Sequence, residues 1–270
     1  MNKQKNAVAL VTGASSGIGL VTAQSLVKAG YRVFGTSRKP VASSPGVTML
    51  TCDVTDEASV RALVEEIMSQ AGRIDLVVNN AGIGLLGGAE ESSVAQAQRL
   101  FDVNVFGVAR IVNAVLPVMR KQKSGRIVNM SSILGLIPSP FNAFYAATKH
   151  AIEGYSESLD HELRAFGIRV LLVEPGVTRT SFEENLARAD QPLPAYAAER
   201  ARSENLMRKW VEAGDPPQIV ADTVVKAATA KKPRLRYSAG KRSRQVRSLR
   251  RFMPERLVDN ILRKFNGFPG

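Results

Sequence analysis

Two rhythms of hydrophobic and polar positions alternate along this chain. Six short, nearly unbroken apolar runs lie at 7–12 (AVALVT), 31–36 (YRVFGT), 47–52 (VTMLTC), 74–78 (IDLVV), 126–130 (RIVNM) and 169–173 (RVLLV). Runs of that length and continuity are expected of strands buried on both faces. Between them the spacing becomes helical. Ile18, Val21, Leu26 and Val27 share a face, with Gly30 where a helix would stop. Val60, Leu63, Val64, Ile67 and Met68 form a second stripe, opened by Thr55 or Asp56 as cap. A long helix is expected over most of 92–122, kinked at Pro117, and another around Tyr145. Strand and helix in strict alternation predict an α/β fold: a doubly wound parallel sheet flanked by helices, with right-handed crossovers.

The rhythm breaks after the sixth run. Residues 181–213 read as a helical insertion broken by Pro192 and Pro194, placed where a substrate lid would sit, with Trp210 packing it down. Asp215-Pro216 should cap a helix running to Ala230, and Pro233–Tyr237 should form an edge strand. The end of the chain, KRSRQVRSLRRFMPERLVDNILRKF, places Val246, Leu249 and Phe252, then Leu257, Val258, Ile261, Leu262 and Phe265, as in two short amphipathic helices parted by Met253-Pro254. The expected organisation is one domain over 1–240, lid included, extended by a basic, partly helical segment at 241–270.

Charge sharpens that last boundary. The net charge of +13 is concentrated in residues 231–270, which hold thirteen Lys/Arg against two Asp/Glu, so the body carries only +2. A basic amphipathic end can lay its apolar face beside the substrate mouth with its charges solvated. It can also lie peripherally on an anionic membrane. Nucleic acid is not an expected partner. The single cysteine, Cys52, allows no intrachain disulfide and fits a reducing compartment. His150 and His161 are eleven residues apart with no Cys/His cluster, so no metal site is expected. The apolar run after the basic start MNKQK is too short for a signal segment, and no run approaches the length of a membrane span. A cytoplasmic location is expected, with peripheral membrane contact as its variant.

Candidate chemistry follows the strand ends. The turn Thr12-Gly13-Ala14-Ser15-Ser16-Gly17-Ile18-Gly19 lies between a strand and a helix. Its glycines allow close backbone approach, and the helix start offers free N–H groups to a pyrophosphate. Where the second strand ends, Ser37-Arg38-Lys39 stands in place of an acidic residue. The Arg38 fork suits the 2′-phosphate of NADP(H) better than the free hydroxyl of NAD(H). Tyr145 and Lys149 are four residues apart on an expected helix, thirteen residues after Ser132. An ammonium beside a phenol favours the phenolate, which would make an acid/base site for a carbonyl or alcohol. Taken alone, the pair reads first as an ordinary amphipathic pair near a helix start, and the motifs around it change that.

In order, TGASSGIG at 12–19, NNAG at 79–82, Asn104, Ser132, YAATK at 145–149 and PGVTRT at 175–180 resemble the short-chain dehydrogenase/reductase superfamily, in its single-domain branch. The resemblance covers about residues 6–240 and implies a Rossmann-like sheet. It implies Tyr145 as general acid/base, Lys149 lowering the tyrosine pKa and holding the nicotinamide ribose, Ser132 bonding the substrate oxygen, and Asn104 positioning a relay water. It places Gly13, Ser15, Gly17, Ile18 and Gly19 at the pyrophosphate or adjoining ribose. Asp53 and Val54 fall at the adenine, Asn80 at the ribose, and Val177 and Thr180 at the nicotinamide carboxamide. It also implies a homodimer or homotetramer. The apolar stretch Ile133, Leu134, Leu136, Ile137, Pro138, Phe141 and Phe144, with Phe182, Leu186, Leu193 and Tyr196 of the lid, suits a lipophilic substrate. The lid and basic end loosely resemble hydroxysteroid and retinol dehydrogenase-like members.

Overall fold

The structure is a computed structural model and describes residues 7–182 and 185–267. The MNKQK start and lid residues Glu183 and Glu184 lie outside the described residues.

The first unit is β1 (Val8–Val11), the glycine turn, and α1 (Gly17–Lys28). Gly30 follows with φ 93°, a left-handed position that suits a glycine. Next come β2 (Arg32–Ser37), β3 (Val47–Thr51) and α2 (Glu57–Ala71). Asp56 caps α2, accepting the Ala58 amide at 2.9 Å, and Gly72 ends it in the left-handed region. After β4 (Leu76–Asn79) the chain forms a two-residue strand β5 (Leu85–Leu86), then α3 (Val94–Phe101) and α4 (Gly107–Gln122).

Between α3 and α4, Asp102–Phe106 form a π-helical turn closed by the Gly107 amide on the Asp102 carbonyl. The irregularity in this run therefore falls at Asn104, whereas the sequence had suggested Pro117, which sits inside α4. The whole stretch Val94–Gln122 is 29 residues, long and apolar enough to cross a membrane by length and composition. That corrects the expectation that no run reaches such a length. Here its face bearing Ile111, Val112, Val115 and Met119 is buried in the core.

The chain continues through β6 (Gly125–Met130), α5 (Ala143–Leu163), β7 (Ile168–Pro175), β8 (Ala187–Arg188), α6 (Ala197–Glu212), α7 (Pro217–Thr229), β9 (Arg236–Ala239), α8 (Lys241–Phe252) and α9 (Glu255–Phe265). The main sheet has seven parallel strands in the order β3-β2-β1-β4-β6-β7-β9. Its direction of winding reverses between β1 and β4, which opens a crevice at the strands' carboxyl ends. One face packs under α2, α4 and α5 through residues such as Leu63, Ile111 and Ile152. The other packs under α1 and α7 through Leu26, Val220 and Val224.

Three expectations need correction. Asp215 does not cap α7, whose cap position is Pro216; the Asp215 main chain instead bonds Val177 and Arg179. The edge strand begins at Arg236, three residues after Pro233. The lid is helical only in its second half. In its first half the described residues are mostly turn and bend, with the two-residue β8 pairing in parallel with β5. Pro192 and Pro194 do not break a helix here but precede one, because the backbone bonds of that half go to β5 and to Glu91.

Candidate active site

The turn after β1 is held tightly from below. The Ala14 amide bonds the Thr36 carbonyl at 2.8 Å. Thr12 Oγ1 accepts the amides of Asn80 and Ala81, both at 3.0 Å. Asn80 Nδ2 donates to the carbonyls of Thr12 and Gly13, each at 3.0 Å. The Asn80 side chain is thus engaged with the turn rather than aimed at a ribose. Gly13 and Gly17 have positive φ, 65° and 54°. Gly19 lies against the Gly13 carbonyl with no room for a side chain. Ser16 opens α1 without a side-chain cap, and the first turn holds no acidic residue. Thr180, at the end of the PGVTRT loop, lies over the turn, with its Cβ 3.6 Å from where a Gly17 Cβ would be. Val177 is fixed nearby, its carbonyl accepting the Asp215 amide at 3.0 Å.

Arg38 is exposed just beyond β2 and makes no salt bridge among the described residues. Asp53, beyond β3, is held below the usual carboxylate range, first by hydrogen bonds from Thr55 and then by the charges of Arg38 and Arg110. Val54 turns its side chain into the core against Gly107. The residues present fit a nicotinamide dinucleotide: a side-chain-free cradle, uncapped helix amides and an unpaired guanidinium beyond β2.

The reacting centre forms where β6 ends and α5 begins. Ser132 Oγ accepts the Leu134 amide at 3.1 Å, which leaves its hydroxyl proton free to donate. Ser131 behind it is buried, with no partner for its Oγ among the described residues. Lys149 is buried and donates from Nζ to the Met130 carbonyl at 2.9 Å, tying α5 to the end of β6. The same ammonium lies 5.6 Å from the Tyr145 ring centroid. Burial pulls Lys149 down from 10.5 to about 8, although the Glu153 carboxylate opposes the shift. Burial also pushes the Tyr145 phenol above its ordinary value. Desolvation of the phenolate is the cause of that rise, and it runs against the lowering expected from the neighbouring ammonium.

The Asn104 side chain is held by Ile83 and Thr148. It brackets Ile83, accepting its amide and donating to its carbonyl, both at 2.9 Å. It also donates to Thr148 Oγ1 at 3.3 Å, and Thr148 in turn bonds the Tyr145 carbonyl at 2.7 Å. Asn104 therefore steadies the first turn of α5 from the π turn.

The apolar residues split into two groups. Phe182 lies 6.0 Å from the Tyr145 ring, and Phe182 and Leu186 pack over Gly84, so they roof the centre. Ile137 and Leu134 instead pack against Val258 and Leu262 of α9. Trp210 of α6 stacks on Phe265 of α9 at 4.6 Å, which joins lid to tail.

Sequence reasoning missed the groups that hold these parts in place. Glu91 is fully buried, accepts the amides of Gly88 and Leu193, and pairs with Arg200 of α6. Burial pushes its carboxyl up, but those hydrogen bonds and the guanidinium outweigh it and hold it below the ordinary range. Ser93 bonds Asp190 twice, which pins the first half of the lid. Behind Lys149, Arg236 pairs with Glu153 at 2.8 Å and Glu157 at 2.9 Å, and approaches the buried Glu174 at 3.7 Å. The one available signal was Glu153, four residues after Lys149; its partner is eighty-odd residues away.

A family model described as short chain dehydrogenase matches residues 7–191. A 3-ketodihydrosphingosine reductase of Bacteroides thetaiotaomicron is 41% identical over 235 residues, covering 86% of this chain and 87% of that one. Retinol dehydrogenase 8 of Bos taurus is 36% identical over 277 residues, covering 91% and 85%. Among solved structures, a short-chain dehydrogenase from Streptomyces avermitilis superposes with TM-score 0.81 at 34% identity, covering 97% of this chain and 95% of that one. A Burkholderia phymatum member in complex with NAD has TM-score 0.81 at 27% identity, covering 92% and 94%. A metagenomic member in complex with NADP has TM-score 0.69 at 26% identity, covering 88% and 99%. With the parallel sheet, the glycine turn and the Tyr145–Lys149 helix all in place, these matches show that the chain belongs to the short-chain dehydrogenase/reductase family of nicotinamide-dependent oxidoreductases.

Proposed function

We propose that the protein uses NADP(H) in preference to NAD(H) to interconvert a carbonyl and an alcohol on a lipophilic substrate. The carrying observation is the half-buried Tyr145 beside the buried Lys149, beneath the apolar roof of Phe182 and Leu186. A nicotinamide cofactor bound in the cradle would supply the hydride in reduction and accept it in oxidation. This chain's own residues do the rest. Ser132 donates a hydrogen bond from its free hydroxyl to the substrate oxygen, and Tyr145 donates a second to the same atom. In reduction the phenol proton passes to that oxygen, and the phenolate left behind faces the Lys149 ammonium. A phenol raised by burial enters reduction already protonated, which is the form this direction needs. Gly13, Ser15, Gly17, Ile18 and Gly19 would cradle the pyrophosphate and adjoining ribose. Asp53 and the Val54 backbone would meet the adenine, with Asn80 stiffening the turn. Val177 and Thr180 would meet the carboxamide, and Lys149 the nicotinamide ribose. Asn104 acts through Thr148 and α5.

Arg38 supports the NADP(H) preference because its guanidinium is exposed beside the β2 end with no competing salt bridge there. The lipophilic reading is supported by the roof and by the similarity to a 3-ketodihydrosphingosine reductase. The stretch Val94–Gln122 has only 33% of its most apolar window buried, with Phe106 exposed. That unburied apolar face supports a homodimer or homotetramer, to be read by light scattering.

The test is initial-rate oxidation of NADPH and NADH with long-chain ketones, for wild type, Tyr145→Phe and Arg38→Asp. Turnover with NADPH is expected, abolished in Tyr145→Phe and redirected toward NADH in Arg38→Asp. Faster turnover of wild type with NADH, or full activity in Tyr145→Phe, refutes the corresponding assignment.

A further inference from the structure

The tail helices bury one face and leave another in water. In α9, Val258 and Leu262 turn inward onto Ile137. Leu257 and Ile261 lie one above the other on the adjoining face, 50% and 41% exposed. Phe252, at the end of α8, is 77% exposed. Beside it a shallow concavity of about 510 Å³ runs between Arg244, Ser248, Leu249 and Met253. The exposed cations Arg244, Arg250, Arg251, Arg256 and Lys264 on these two helices make no salt bridge among the described residues. The two helices carry only Glu255 and Asp259 as acids.

Each possible occupant of such a face meets its chemistry differently. A second copy of this chain, docked symmetrically, would bring the same cations against one another. A nucleic acid would use the cations but gains nothing from exposed Phe252, Leu257 and Ile261. An anionic bilayer uses both: lipid phosphates pair with the arginines, and the apolar side chains leave water for the acyl boundary. We propose that the exposed face of α8 and α9 docks on an anionic membrane surface, with Phe252, Leu257 and Ile261 seated between the headgroups. The inward faces of the same helices pack on Leu134 and Ile137, in the loop that follows Ser132. Docking would therefore set the entrance of the site against the bilayer, where a lipophilic substrate dissolves.

The experiment is co-sedimentation of the full chain with phosphatidylcholine vesicles, with and without phosphatidylglycerol, at low and high salt. The wild type is compared with the Leu257→Asp/Ile261→Asp variant. NADPH binding by both proteins checks that the variant is folded, and no turnover is needed, so the result stands apart from the substrate reading. Binding to anionic vesicles is expected to exceed binding to neutral ones by at least about tenfold and to weaken in high salt. The variant is expected to lose at least about tenfold of it, since it removes the apolar part of the contact and sets two carboxylates against the anionic lipid. Three results overturn the proposal. One is equal or absent binding to both vesicles. Another is salt-sensitive binding that survives the variant, which marks a polyanion contact. The third is no vesicle binding together with a dimer that the variant dissociates, which marks a contact between copies.

Discussion

Lys149 is held against its own stability, and replacing it should make the protein sturdier while disabling the site. Folding moves its pKa from 10.5 to about 8, chiefly by burial. At about 1.36 kcal/mol per unit, keeping the buried ammonium charged at pH 7 destabilises the fold by roughly 3 kcal/mol at most. Lys149→Met has similar length and no charge to desolvate. It also leaves the Met130 carbonyl without its 2.9 Å partner, which costs about 1–2 kcal/mol. The net expectation is a gain of roughly 1–2 kcal/mol, or roughly 2–6 °C in Tm. The pH dependence separates this cause from general repacking. Below pH 8 the lysine is charged in both folded and unfolded wild type, so the variant's advantage is complete. Between pH 8 and 10.5 the unfolded chain binds the proton and the folded chain does not, so wild-type stability rises with pH and the advantage shrinks. Urea unfolding of both proteins at pH 7 and pH 9.5 should show the difference falling by about 2 kcal/mol. A variant less stable than wild type at pH 7, or a difference that ignores pH, refutes the reasoning.

Carbonyl reduction should be level through neutrality and fall above about pH 8 as Lys149 loses the charge that faces the Tyr145 phenolate. Because the Glu153 carboxylate supports that charge, Glu153→Gln should move the break to lower pH; an unmoved profile would remove Glu153 from the site's electrostatics. Glu91→Gln leaves Arg200 facing a neutral amide and loosens the lid, so KM should rise about tenfold with kcat little changed, and proteolysis of 185–196 should quicken. The Cβ of a Gly84→Val side chain would press first on Leu186 and then on Phe182, 2.9 Å away, and push the roof aside, so KM should rise while NADPH binding is unchanged; an unaltered KM would mean that this roof does not border the substrate.

The glycine turn, its helix, a cap at Thr55 or Asp56 and the Tyr145–Lys149 step could all be read along the chain. Each depends on residues a few positions apart, where backbone sterics and helical spacing decide the outcome. Strand identity was equally readable, because a strand buried on both faces must be apolar throughout. The first half of the lid was not. Its partners Leu85, Leu86, Glu91 and Ser93 lie about a hundred residues earlier, and no local pattern in 181–196 names them. Asn80 and Asn104 carried the expected motif positions, yet their side chains turned out to grip backbone beside the site.

Local residue order by itself determined the layered α/β fold, the dinucleotide cradle and which side chains stand at the carboxyl ends of the strands. Only the tertiary structure decided the protonation preference of Tyr145 and Lys149, the Glu91 anchor of the lid, and which face of the tail stays in water. Those depend on how much solvent each group loses and which distant charge replaces it, and neither exists until the chain has closed around them.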